Sequence, residues 1–136
     1  MTAITTRPLS SATDALLRFA LRVDATITGL TGLAGAALAD PLSTLTGLSP
    51  TTEYVLGAAF VAYGLVVYSL AAVPNLRAVG IGVSIANLIC TVATVAIVLS
   101  GAATLTELGV VATLATGMYT AFFAYLQYLG VRRLRA

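Results

Sequence analysis

Few side chains in this chain could do chemistry, and Asp24 is the most informative of them. It falls early in the first of four apolar stretches, two positions after Arg22. That spacing turns it about 200° around a helix, away from the face on which Asp14, Arg18 and Arg22 recur every four residues. It shares its own face with Thr28, Thr31 and Gly35. A carboxylate inside a membrane costs roughly 2.5–3.5 kcal/mol near the helix centre and is a functional candidate by default. The sequence places Asp24 near the cytoplasmic edge, where two roles are open: a structural pairing with Arg77 or Arg132, or the binding of a proton or ligand. Side chains at comparable depth are Tyr68, Ser84 and Gln127, with Asn87 deeper, and Gly80, Ser84, Asn87 and Thr91 make one polar stripe. If the stretches close into a bundle, Asp24, Tyr68, Ser84, Asn87 and Gln127 meet in the inner half. They would form either a polar pocket or interhelical glue, worth on average only about 0.6 kcal/mol per bond.

Much familiar chemistry is ruled out by what is missing. There is no His, no Trp and no Lys. The usual haem and zinc ligand is therefore absent, as are the bases of Ser-His, Cys-His and Ser-Lys nucleophile pairs. The single Cys90 cannot form an intrachain disulfide or hold an iron–sulfur cluster, and within an apolar run it reads as a small hydrophobe. The expectation is a protein that is not an enzyme, with no catalytic residues, no metal and no cofactor.

The elements that must position these groups are helices. Apolar residues make up 59% of the 136-residue chain and charged residues 9%, with mean hydropathy +0.99. Soluble domains carry roughly 25% charge, so the composition indicates one integral membrane domain over residues 1–136. A spanning helix needs roughly 20 residues, and helices are expected at about 19–39, 53–73, 77–100 and 107–130. An amphipathic, interfacial lead (1–22) precedes them and a basic tail (131–136) follows. Asp40-Pro41 reads as the end of the first helix, and Asp40 to Thr52 as the longest loop. Ser49-Pro50 reads as a helix start with Glu53 complementing the dipole. Pro74-Asn75 makes a short turn that would set helices two and three as antiparallel neighbours. Thr104 and Glu107 have capping-box spacing, and Ser11 and Asp14 a related one. Asp14 and Arg18 can pair at i,i+4. Ala37-Leu38-Ala39 resembles a signal-peptide cleavage site, but the long polar lead favours an uncleaved first helix. Thr44-Leu45-Thr46, Gly57 and Tyr68 match Thr104-Leu105-Thr106, Gly117 and Tyr128 at an offset of sixty, a faint parallel repeat.

Arginine sets the orientation. All seven basic residues are Arg, and four crossings place them on one side, with Asp40, Glu53 and Glu107 on the other. The positive-inside rule then puts both termini in the cytoplasm. The fold expected is an all-α, four-helix, antiparallel up-down bundle, multi-pass in the bacterial cytoplasmic membrane. Arg18, Arg22, Arg77, Arg132 and Arg133 would meet lipid headgroups, while Tyr54, Tyr125 and Tyr128 would belong to the interfacial belt. Small residues four apart predict packing seams: Ala25 with Gly29, Thr31 with Gly35 and Gly32 with Ala36 in helix one, Gly82, Ala86, Cys90 and Thr94 in helix three, and Gly109, Thr113, Gly117 and Ala121 in helix four.

Leu21-Arg22-Val23-Asp24-Ala25, Asn87, and Leu126-Gln127-Tyr128 before Arg132-Arg133 resemble a group of small four-helix membrane proteins of actinobacteria, a group without an assigned activity. In outline the chain is similar to the DoxX-like four-helix families, and in size to the small multidrug resistance transporters. The latter carry a membrane-embedded glutamate in helix one; this chain departs from them, with no Glu there and an Asp24 that is shallower and preceded by Arg22. Two functions are expected from these features. The first is a non-enzymatic accessory subunit or homo-oligomer acting through membrane lipids, another membrane protein or itself, without nucleic acid. The second is a small transporter or ligand-binding bundle using Asp24.

Overall fold

A computed structural model describes residues 13–134. They form five helices and, among the described residues, no strand: α1 (Ala15–Ala37), α2 (Ala39–Thr46), α3 (Pro50–Leu70), α4 (Arg77–Ser100) and α5 (Glu107–Arg132). Ser11, Arg7 and Arg135 lie outside the described residues.

Helices α3, α4 and α5 are each long and apolar enough to cross a membrane. Their outward faces are apolar, with Leu65, Ile89, Val92, Val111 and Met118 each more than half exposed, a surface that water does not tolerate over so large an area. α1 has 23 residues but carries Arg18, Arg22 and Asp24, and by composition it is not among the candidate spans.

α1 packs along α3, α4 along α5, and α1 also meets α5. The contacts run antiparallel in each case. In the first pair Gly32 faces Gly57 and Ala25 faces Gly64; in the second Asn87 reaches Gln127 while Thr91 reaches Thr120. Leu17 of α1 lies against Gly130 of α5. The short turn after α3 does not make α3 and α4 a packed pair, contrary to the expectation from Pro74-Asn75. The two barely approach, because α3 spends its small-residue face on α1 and α4 spends its polar stripe on α5.

The seams separate close approach from mere periodicity. A Cβ on Gly57 would lie 2.5 Å from the Ala36 nitrogen, and one on Gly32 would lie 2.5 Å from the Gly57 carbonyl oxygen. A Cβ on Gly29 would meet Gly64 at ordinary contact distance, but one on Gly64 would lie 2.8 Å from Gly29 Cα; Gly109 abuts the Thr46 carbonyl, and Gly117 abuts the Thr94 hydroxyl. Gly82 faces open space, and Ala86 beside it is exposed. The small-residue stripe of α4 therefore looks outward at Gly82, borders the cavity at Ala86 and Cys90 and meets α5 only at the buried Thr94, while the stripe of Gly80, Ser84, Asn87 and Thr91 turns toward its neighbours.

Asp40-Pro41 starts a helix rather than ending one in a loop. α1 breaks at Leu38 (φ −109°, ψ 26°) and α2 follows, with Pro41 in its first turn, where a missing N–H costs nothing. α2 ends at Gly47 in the left-handed region (φ 87°), a conformation that glycine adopts without penalty. α3 starts as the sequence indicates: the Ser49 hydroxyl accepts from Thr52 N at 3.1 Å, and Glu53 sits in the first turn. Glu53 also accepts a hydrogen bond from the Thr46 hydroxyl, which ties α2 to α3. At α5 the capping residue is Thr106, not Thr104. The Thr106 hydroxyl accepts from Gly109 N at 3.0 Å, while Thr104 donates to the Gly47 carbonyl at 3.2 Å. Thr106 further joins α2 through its N–H to the Thr46 carbonyl (2.9 Å) and its hydroxyl to the Leu45 carbonyl. Thr106→Ala is expected to cost about 1–2 kcal/mol, read as a lower thermal midpoint in detergent; an unchanged midpoint would show the cap to be idle.

The opposite end carries the arginines and the apolar core. Leu17, Leu21 and Leu76 are buried there with Ala25, Val67, Ala71 and Val83. α1 runs unbroken from Ala15, so Leu17 and Leu21 of the expected amphipathic lead belong to this packed core. Arg18 forms the expected pair with Asp14 at 2.8 Å. Its other nitrogen donates to the Ala71 carbonyl and to the Val73 carbonyl at 3.3 Å, so this side chain closes the C-terminus of α3 instead of turning wholly to the surroundings. Arg77 donates to the Leu134 carbonyl at 3.3 Å, and Arg132 lies 5.9 Å from the Tyr128 ring. Arg22, Arg77, Arg132 and Arg133 are exposed at this end.

Candidate functional site

Asp24 is completely buried, yet no arginine reaches it; its partners are all neutral. The pairing with Arg77 or Arg132 expected from sequence is replaced by five hydrogen-bond donors from four helices. Oδ2 accepts from the Tyr63 hydroxyl at 2.7 Å, from Gln127 Nε2 at 2.9 Å and from Asn87 Nδ2 at 3.0 Å. Oδ1 accepts from the Tyr119 hydroxyl at 2.9 Å and from the Thr28 hydroxyl at 3.1 Å. Thr28 stands one helical turn beyond Asp24 on α1, Tyr63 comes from α3, Asn87 from α4, and Tyr119 with Gln127 from α5.

The partners also bind one another. Asn87 Nδ2 donates to Gln127 Oε1 at 2.9 Å, which orients both amides with their nitrogens toward Asp24. Thr28 and Tyr119 hydroxyls lie 3.1 Å apart, and Tyr119 also reaches the Asp24 carbonyl at 3.1 Å. An ionised carboxylate only accepts, with room for about four hydrogen bonds. A shell made of donors therefore complements the charged form. Hydrogen bonds to a charged group contribute about 1.5–3 kcal/mol each, so five of them offset the cost of burying one carboxylate. Among the described residues no buried side-chain nitrogen or oxygen is left unsatisfied.

Depth differs from the sequence reading. Asp24 is level with Tyr119, near the midpoint of α5, and with Asn87, well inside α4. It also bonds Gln127, near the end of α5, so it lies deeper than the edge but in the half that carries the arginines, because α1 begins at Ala15 and α3 and α5 pack alongside most of its length.

Asp24, Asn87 and Gln127 of the sequence-derived cluster come together. Ser84 and Tyr68 do not join them. Ser84 donates to the Ala124 carbonyl at 2.8 Å and so fastens α4 to α5; Tyr68 is 52% exposed. Sequence reasoning missed Tyr63 and Tyr119. The available signal was their place in mid-span, since a buried tyrosine hydroxyl needs a partner and neither residue is close enough to a helix end to find water.

Against this shell lies a half-open cavity of about 390 Å³ between α1, α3, α4 and α5. Four of the five donor residues, Thr28, Tyr63, Asn87 and Tyr119, form part of its wall, and Ile27, Phe60, Ala86, Cys90 and Ala115 make much of the rest apolar. Asp24 itself stands one layer behind the wall. Pockets of about 300–1,000 Å³, mainly apolar with a few fixed polar groups, are the usual form of small-molecule sites. Thr91, half-buried beside the cavity, bonds Thr120 at 2.8 Å and the Gly117 carbonyl at 3.2 Å, making the α4–α5 wall firm. Among the described residues no three His, Cys, Asp or Glu side chains gather in a way that could hold a metal.

Compared with protein-family models, curated proteins and solved structures, the chain finds no match.

Proposed function

We propose that this protein is a non-enzymatic, ligand-binding bundle of the bacterial cytoplasmic membrane, holding a small, mostly apolar molecule in the cavity beside the Asp24 shell. The observation that carries the reading is the shared wall: residues that fix the buried carboxylate also line a space of ligand size. Interhelical glue alone needs no such space. A transporter would use the same site with an added conformational step.

In this reading α1 is the fourth crossing, antiparallel to α3 and α5. Its charges support that placement, since Asp24 is enclosed by donors, Arg18 closes the end of α3, and Arg22 is exposed on the side of α1 turned away from Asp24. The arginines at one end and Asp40, Glu53 and Glu107 at the other support an orientation with both termini in the cytoplasm. Arg22, Arg77, Arg132 and Arg133 would there meet lipid phosphates.

The test is recovery of a small molecule. Protein taken from its native membrane in mild detergent is expected to retain a low-mass compound at about one per chain, detected by native mass spectrometry. Ala86→Phe, which places a ring in the cavity wall, is expected to cut that occupancy about tenfold, since overpacking costs about 1–3 kcal/mol. An empty protein with no occupancy difference between the variants would end the proposal.

A second reading is favoured by a separate observation. Ala78 and Gly82 are both exposed, four apart, on the outer face of α4, with Gly82 facing open space. Such a face suits close approach by another helix, as in an accessory subunit or homo-oligomer. Gly82→Cys in a Cys90→Ala background is expected to cross-link to a second copy in membranes; a chain that stays monomeric under oxidation would remove self-association.

A further inference from the structure

We infer that the cavity takes a lipophilic alcohol, whose hydroxyl donates to Asn87 Oδ1, in preference to the ketone or hydrocarbon of the same shape. The inference deepens the ligand-binding reading and rests on it.

The hydrogens of the cavity wall are already spent. Tyr63 and Tyr119 each have one hydroxyl hydrogen and give it to Asp24, as does Thr28. The two Nδ2 hydrogens of Asn87 go to Asp24 and Gln127. Farther round the wall, Thr116 donates to the Ala112 carbonyl and Thr120 to the Gly117 carbonyl. The carboxylate holds its share harder than a neutral guest could, because hydrogen bonds to a charged acceptor are roughly twice as strong as neutral ones. Among the described residues of the wall, only the exposed Thr31 keeps a hydroxyl hydrogen uncommitted.

What the wall offers instead is an acceptor. Asn87 is 4% exposed, and with Nδ2 held toward Asp24 and Gln127 its Oδ1 is turned the other way. Oδ1 accepts from no described residue, whereas every fully enclosed side-chain oxygen or nitrogen among the described residues has a partner. Oδ1 is therefore not enclosed. It borders open space, and the space beside Asn87 is the cavity. An amide oxygen has two lone pairs to fill. A hydrocarbon guest would cover that oxygen and leave it unpaired, which costs free energy in an apolar site. A ketone would set a second acceptor against it. A hydroxyl supplies the missing hydrogen, while an apolar body fills the space between Ile27, Phe60 and Ala115. Sites built to bond a hydroxyl reject the analogue that lacks it because their own polar group is then left bare.

The experiment uses menthol, menthone and menthane, which share one carbon skeleton: menthone lacks the hydroxyl hydrogen and menthane the oxygen as well. Binding to the full chain in phosphatidylcholine nanodiscs is measured by dialysis and mass spectrometry, each affinity referred to protein-free nanodiscs. The expected result is a preference for menthol over either analogue of about fivefold or more. Menthone or menthane binding as tightly as menthol overturns the donor selectivity while leaving a ligand-binding cavity. Failure of all three to bind removes the cavity reading itself and this inference with it. Thr31→Val, which removes the one uncommitted hydroxyl, should leave the advantage of menthol intact; its loss would assign the selection to Thr31 and overturn the role of Asn87. The contact itself is read by nuclear magnetic resonance. The chain has two asparagines, Asn75 and Asn87, so in protein labelled at asparagine Cγ the Asn75→Ser variant identifies the Asn87 signal. That signal should move further with menthol than with menthane; equal movement, or none with menthol bound, overturns the assignment to Oδ1.

Discussion

Asp24→Ala will be among the most destabilising single substitutions in this protein. The carboxylate is the common acceptor of Tyr63, Asn87, Gln127, Tyr119 and Thr28, so its removal strands donors from all four long helices at once. A buried donor left without a partner costs about 1–3 kcal/mol. Some of the five can re-pair, since the two amides already bond each other and the Thr28 and Tyr119 hydroxyls are within reach. A net loss of roughly 3–6 kcal/mol remains, comparable to the whole stability of many domains. Thermal unfolding in detergent, followed by circular dichroism, is the measurement. Tyr68→Phe is the control and should be nearly silent, because Tyr68 lies outside the shell. If Asp24→Ala melts within a few degrees of the unaltered protein, the shell does not hold the helices together.

The second large effect is expected at the α1–α3 seam. In Gly57→Val, the new Cβ would stand 2.5 Å from the Ala36 nitrogen and 2.6 Å from the Gly32 carbonyl oxygen. Both are backbone atoms of a helix and cannot swing aside, so the helices must separate along their length. Separation forfeits the Gly32, Gly57 and Gly64 contacts together, and with them the approach that lets Tyr63 reach Asp24. Overpacking in a well-filled interior costs about 1–3 kcal/mol and sometimes more; backbone against backbone is the severe case, and Gly57→Val should fail to yield folded protein. Gly82→Ala provides the contrast. Nothing lies within 4 Å of that position, and alanine in place of glycine inside a helix gains about 0.5–1 kcal/mol. Recovery of folded material on size-exclusion chromatography separates the two outcomes. Equal behaviour of the two variants would contradict the seam.

How much of this was legible beforehand depends on the residue type. Asp24, Asn87 and Gln127 stand out in apolar runs because carboxylate and amide groups have no reason to enter hydrocarbon without a partner. Tyrosine carries no such signal. Its ring suits either an interface or a core, so Tyr68 and Tyr63 look alike on paper, and only the rotation of α3 on α1 decides that Tyr63 points inward. Asp24 was read as shallow because counting from the end of one stretch ignores how far the neighbouring helices extend beside it. The small-residue stripes were equally ambiguous. α4 has two plausible seams about a third of a turn apart, and a periodic pattern does not say which one meets a partner. α2 was hidden because Asp40-Pro41 has the composition of a stop, and a proline ending one helix is locally identical to a proline in the first turn of the next. The Ser49 cap and the Asp14–Arg18 pair, by contrast, depend on neighbours a turn away and were visible without the fold.

The sparse contact between α3 and α4 has a bearing on how anything arrives at the cavity. Both extremities of the molecule are fastened, by the Thr104–Thr106 strand of hydrogen bonds to α2 at one pole and by the Arg18 guanidinium at the other. The flank between α3 and α4 is joined by little more than the bond from Asn87 Nδ2 to the Tyr63 hydroxyl at 3.3 Å. In the ligand-binding reading, a guest would enter through that flank from among the acyl chains, without first traversing a vestibule of water. Its effective concentration would be the one it attains dissolved among the lipids, far above its level in the surrounding medium, and even a loose grip would then suffice to keep the chamber filled.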